Sequence, residues 1–68
     1  MRIKNNLSRL MGEKRMSMAE VSRLTGLSHT TVFKIYHDKV TQIGLATVAK
    51  LCYALDCTVG ELFEYIPD

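Results

Sequence analysis

The chain has 68 residues, 47% of them hydrophobic, with 9 Lys and Arg against 7 Asp and Glu and a net charge of +2. A domain of this size has a small core and buries only about 60% of its unfolded surface, so pairing with a second copy is a ready source of added stability. No apolar run approaches the roughly 20 residues of a membrane span, and no signal-peptide apolar block opens the chain, so the expectation is one cytoplasmic domain over residues 1–68.

In chain order, Ile3, Leu7, Leu10 and Met11 recur at offsets that share one helical face, which predicts an opening helix. Ser17-Met18-Ala19-Glu20 spells a capping box, with the Ser17 hydroxyl facing the third helical N–H and Glu20 reaching back, so a helix is predicted from Met18. Gly26 can take the left-handed conformation that closes a helix without a Cβ penalty. Two residues on, Ser28 can cap a further helix through His29, Val32 and Ile35. Two short helices separated by so tight a turn form a helix-turn-helix, here spanning about residues 17–36.

Hydrophobic staples agree with the caps. Met16 and Val21 flank the first cap at the N′ and N4 positions, and Leu27 and Val32 flank the second. The spacing returns as Ile43 and Val48 around a Gly44 cap, and as Cys57 and Leu62 around Thr58, which forms another box with Glu61. The fourth helix is read with the apolar stripe Leu45, Val48, Leu51, Cys52 and Leu55. The resulting expectation is an all-α chain of five helices.

Charge is unevenly distributed. Arg2, Lys4, Arg9, Lys14, Arg15, Arg23, Lys34 and Lys39 precede Val40, whereas Asp56, Glu61, Glu64 and Asp68 crowd the end. One half can therefore face phosphates while the acidic tail faces away, although charge alone is equally served by solvated helix surfaces. Cys52 and Cys57 have no second pair or His at metal-ligand spacing, so no metal is expected and both read as small buried hydrophobes. Ser28, His29 and Asp38 do not suggest a hydrolase, because a small helical unit offers little room for a water-excluding cleft. Neither an enzymatic activity nor a cofactor is expected.

From Met16 to Phe63 the chain resembles the Cro/CI-type (xenobiotic-response-element, XRE) helix-turn-helix regulators. Gly26-Leu27-Ser28, Val32 and Ile35 match their pattern, with Ser22 in place of its alanine. The stretch from Leu45 to Cys57, followed by Leu62-Phe63-Glu64-Tyr65, looks like a short bacterial and phage branch. The resemblance implies a compact five-helix, lambda-repressor-like DNA-binding domain whose second paired helix enters the major groove.

Carried over onto this sequence, the base readers are Ser28, His29, Thr30, Phe33 and Lys34. Lys34 can donate to guanine, Thr30 can bond several bases, and His29 can donate or accept. Two roles stay open for Phe33: contact with a thymine methyl group, or a place in the core or a dimer interface. Phosphate contacts are implied for Lys39, Thr41 and Gln42, for Asn5 or Arg9, and for the helix start at Met18, where relatives carry Gln. Met18 cannot donate from its side chain, but the N–H groups of a helix start attract an anion. Relatives pair an Arg with a Glu where this chain has Met11 and Tyr36, which predicts an apolar contact there. They also end the recognition helix with Asn-Gly where this chain has His37-Asp38.

The implied partner is double-stranded DNA bound by a homodimer, with repression as the default outcome. The rival is a protein-interaction module, such as an antitoxin or anti-repressor, that uses the same fold.

Overall fold

The computed structural model describes residues 1–67; Asp68, counted above in the acidic tail, lies outside the described residues. The elements in order are β1 (Arg2–Asn5), α1 (Leu7–Glu13), α2 (Met18–Thr25), α3 (His29–Tyr36), α4 (Leu45–Leu55), α5 (Val59–Leu62) and β2 (Phe63–Ile66). Among the described residues there are five helices, four of which begin where caps and staples place their starts, but the all-α expectation needs correction. β1 and β2 pair antiparallel, with Ile3 opposite Tyr65 and Lys4 opposite Glu64.

Ile3 is thus not on the inner face of an opening helix. It lies in a strand and is 55% exposed, and α1 starts only at Leu7. The physical cause is the meeting of the chain ends. β-Branched Ile3 and the aromatic residues Phe63 and Tyr65 suit a ladder, and opposite charges stand across it at Lys4 and Glu64. Asn6, only 2% exposed, clamps the join. Its backbone N–H donates to the Leu62 carbonyl at 2.8 Å, and its side-chain amide donates to the Glu61 carbonyl at 3.1 Å and to Glu64 Oε1 at 2.8 Å.

The core draws Leu7, Leu10 and Met11 from α1, Val21 from α2, Val32 and Ile35 from α3, Val48, Leu51 and Leu55 from α4, and Leu62 from α5. The outer staple residues Met16, Leu27, Ile43 and Cys57 are half-buried against it, as expected. Leu45 is a second correction. Expected on the inner stripe of α4, it is 86% exposed. At 100° per residue, Leu45 stands roughly a quarter turn from the mean direction of Val48, Leu51 and Leu55, which points it past the edge of the core.

Helix ends follow local chemistry. Ser17 Oγ accepts from the Glu20 N–H at 3.1 Å, but among the described residues only the Thr58–Glu61 box is complete. There Thr58 Oγ1 accepts from the Glu61 N–H at 3.2 Å and the Thr58 N–H donates to Glu61 Oε1 at 2.9 Å. The backbone and then the hydroxyl of Thr58 hold the Glu61 carboxyl below the ordinary range.

Three helices end on non-glycine residues with left-handed backbones: Arg15 (φ 53°), Asp38 (φ 58°) and Asp56 (φ 50°). Each lies inside a double hydrogen-bonded closure in which the next N–H reaches five residues back, as in Lys39 to Lys34 at 2.8 Å and Cys57 to Cys52 at 3.0 Å. In that closure Cys52 and Cys57 occupy the positions that usually share an apolar contact. Both are free thiols, and both are half-buried rather than fully buried as expected. Burial first, then the neighbouring Cys52, pushes the Cys57 thiol up to about 11.

Candidate nucleic-acid interface

The paired helices are joined by a densely bonded turn. Gly26 is left-handed (φ 74°), and its N–H donates to the Ser22 carbonyl at 2.9 Å. Two hydroxyls then fasten α2 to the residues before α3. Ser22 Oγ donates to the Leu27 carbonyl at 2.6 Å, while the buried Thr25 Oγ1 donates to the Val21 carbonyl at 2.6 Å and accepts from the Leu27 N–H at 3.2 Å. Ser22 therefore replaces a family alanine with a tie across the turn. Neither hydroxyl role was visible from spacing, since a Ser or Thr in a helix reads equally well as exposed.

α3 starts at Ser28, whose Oγ accepts from the Thr31 N–H at 3.1 Å and lies 2.8 Å from Thr31 Oγ1. Val32 and Ile35 seat the helix in the core. The opposite face is free of the protein, and Ser28, His29, Thr30, Phe33 and Lys34 are all exposed on it or at its start. Phe33, 44% exposed, is not a core residue. Its ring meets that of His37, with centroids 4.3 Å apart at 51°.

His37, noted from sequence only for its place at the end of the recognition helix, is absent from the expected base readers. It stands four residues beyond Phe33 and eight beyond His29, so the three rings form one stripe with Thr30 and Lys34 beside it. That i+4 spacing from Phe33 is the signal that could have found it.

The positions expected at phosphates divide into two groups. Lys39, Thr41 and Gln42 are exposed together in the loop after α3. This loop and the sheet border an apolar groove of about 280 Å³ lined in part by Ile3, Val40, Ile43 and Phe63. Asn5, also at that groove, is engaged by the chain itself: its Nδ2 donates to the Ile35 carbonyl and its Oδ1 accepts from the Leu7 N–H at 2.8 Å. Arg9 is exposed and pairs with Glu13 at 2.9 Å across one turn of α1.

Met18, at the start of α2, is half-buried beside Met11 and Tyr36 in a depression of about 270 Å³. Met11 is buried and Tyr36 half-buried there, so apolar packing occupies the place of the relatives' ion pair. Among the described residues, no helix is long and apolar enough to cross a membrane.

A capped two-helix unit whose second helix turns its core stripe inward and a polar and aromatic face outward defines the helix-turn-helix class. More particularly, the family described as the Cro/C1-type HTH DNA-binding domain matches residues 6–68, and the chain belongs to that family. It is also similar to a Bacillus subtilis (strain 168) protein described as an uncharacterized HTH-type transcriptional regulator, YozG. The two are 29% identical over 63 residues, covering 93% of this chain and 75% of that protein.

Proposed function

We propose that the protein is a sequence-specific transcriptional regulator that binds operator DNA as a homodimer and represses by occupying a promoter. The observation that carries this reading is the exposed face of α3, which the core holds outward through Val32 and Ile35 and which makes few contacts of its own. In this reading α3 enters the major groove. Lys34 donates to the O6 and N7 of guanine, Thr30 and His29 bond base edges, and the Phe33–His37 pair meets thymine methyl groups. Ser28 contributes its remaining hydroxyl capacity at the helix start.

Lys39, Thr41 and Gln42 hold the backbone on one side of the recognition helix. The first N–H groups of α2, at Met18, do so on the other. Arg9 exchanges Glu13 for a phosphate, a small cost because an exposed pair is worth little. Asn5, bonded to Ile35, steadies the last turn of α3 and keeps its second amide N–H for a phosphate. A two-fold dimer places two such helices about one DNA turn, roughly 34–36 Å, apart. The similar Bacillus protein's description as a transcriptional regulator supports the same role, carried out in the cytoplasm.

Selection of bound sites from random duplex DNA identifies the operator, and titration of Lys34→Ala against it tests the placement of α3. The variant loses about 1–3 kcal/mol, with discrimination relaxed at one base position. Unchanged affinity and unchanged discrimination refute the placement.

A further inference from the structure

We infer that α4 pairs with the α4 of a second copy, antiparallel across a two-fold axis at Ala49, through the stripe Leu45, Ala49 and Tyr53. The inference rests on the homodimer proposed above and names its surface. α4 reads LATVAKLCYAL, in which Lys50 is the single charge. Its inner side, Val48, Leu51 and Leu55, is buried. Its outer side is apolar too: Leu45 is 86% exposed and Tyr53 81% exposed, with Ala46 and Ala49 exposed between them. Elsewhere in the chain, exposed helix faces carry charge, as with Arg9 and Glu13 on α1 and Glu20 and Arg23 on α2. A helix apolar around nearly its whole circumference is one that is covered on both sides.

The stripe is built to meet itself. Leu45, Ala49 and Tyr53 recur every four residues and so lie in line, large, small and large. In an isologous contact each residue i that touches j is matched by j touching i. With the axis at Ala49, Leu45 meets the partner's Tyr53 and Tyr53 meets the partner's Leu45, while the small alanines let the helix axes approach to about 8 Å. Lys50 stands 100° around the helix from Ala49. The two-fold axis therefore keeps both lysines on one flank of the contact, where their long stems carry the charges outward into solvent.

Burying these side chains, the neighbouring alanines and the Lys50 stem covers about 1,000 Å² over two copies, at the low end of specific interfaces. The dimer is accordingly weak in free solution and completed on DNA, where adjacent half-sites raise the effective concentration. Continuity with the DNA-facing loop favours a second copy as the occupant. α4 follows the loop bearing Lys39, Thr41 and Gln42 directly, so a contact through α4 is continuous along the chain with the loop proposed to face phosphates.

Sedimentation of the full chain over a wide concentration range, alone and with duplexes carrying one or two half-sites, tests this. Wild type is expected to show concentration-dependent dimerisation and cooperative binding to two half-sites. Ala49→Arg and Tyr53→Glu are expected to stay monomeric and bind a single half-site with wild-type affinity, losing only the cooperativity. Both sites are exposed, so helicity and melting temperature stay within a few degrees of wild type, which separates lost pairing from lost folding. A wild-type chain that is monomeric throughout and uncooperative on DNA, or an Ala49→Arg variant that dimerises undiminished, overturns the inference. Failure of wild type to bind any half-site would instead refute the DNA reading, while the sedimentation result would still decide the pairing.

Discussion

Thr25→Val is the sharpest test of how the helix-turn-helix is held. The substitution is nearly isosteric, so the volume filled beside Val21 is kept and only the hydroxyl is lost. Thr25 is 7% exposed, and its Oγ1 donates to the Val21 carbonyl at 2.6 Å and accepts from the Leu27 N–H at 3.2 Å. The Val21 carbonyl keeps its place in the helix ladder, so its loss is modest, whereas the Leu27 N–H is left without a partner in a half-buried position. A net hydrogen bond contributes about 1 kcal/mol and an orphaned buried donor costs about 1–3 kcal/mol, so partial access of water at Leu27 sets the expected loss at about 1–2 kcal/mol.

For a domain of this size that lowers Tm by about 4–16 °C. Thermal unfolding followed by circular dichroism reads the loss, and amide exchange reads its place, with Leu27 protection falling more than that of Leu51. A loss under about 0.5 kcal/mol with Leu27 still protected refutes the fastening role. Ser22→Ala, which restores the family's residue and leaves no buried donor behind, is expected to cost less than Thr25→Val in the same melts.

Two further outcomes follow from local geometry. Asp38→Gly removes the left-handed strain at the end of α3 and is expected to raise stability by about 0.5–1 kcal/mol in denaturant titration, whereas a loss would show that the Asp38 side chain supports the turn. The Cys57 thiol, raised from 9.0 to about 11, is protonated at pH 8 in the folded chain. Because the thiolate is the reactive form, Cys57 alkylates about 100-fold more slowly in the folded chain than in urea at that pH, and the gap closes as pH rises toward 11. Equal rates in the two states would contradict the burial.

Much of the helical frame is readable because its determinants lie within a few residues of each other. Ser17, Ser28 and Thr58 each accept from the N–H three residues on, and Gly26 turns the chain where its position between two caps requires it. The sheet was missed for the opposite reason. Its pairing joins the two ends of the chain, and its clamp from Asn6 to Glu64 spans 58 positions, so nothing near Ile3 announces a strand.

Leu45 shows a related failure. Its spacing from Val48 permits an inward reading, and only the finite edge of the core turns it out. At the interface, the family resemblance named Ser28, His29, Thr30, Phe33 and Lys34, and all five are exposed, but sequence left Phe33 open between that face and the core. The engagement of Asn5 with Ile35 depends on how the end of β1 sits against α3, which no local pattern encodes.

The most direct test of the central claim is the salt dependence of binding to the selected duplex. With Lys39 and Arg9 each neutralising a phosphate in both protomers, the slope of log affinity against log salt is expected near −3.6. Lys39→Ala is expected to flatten it by about 1.8. Affinity that stays level between low and moderate salt would contradict DNA binding through this face and favour a protein partner for the same fold.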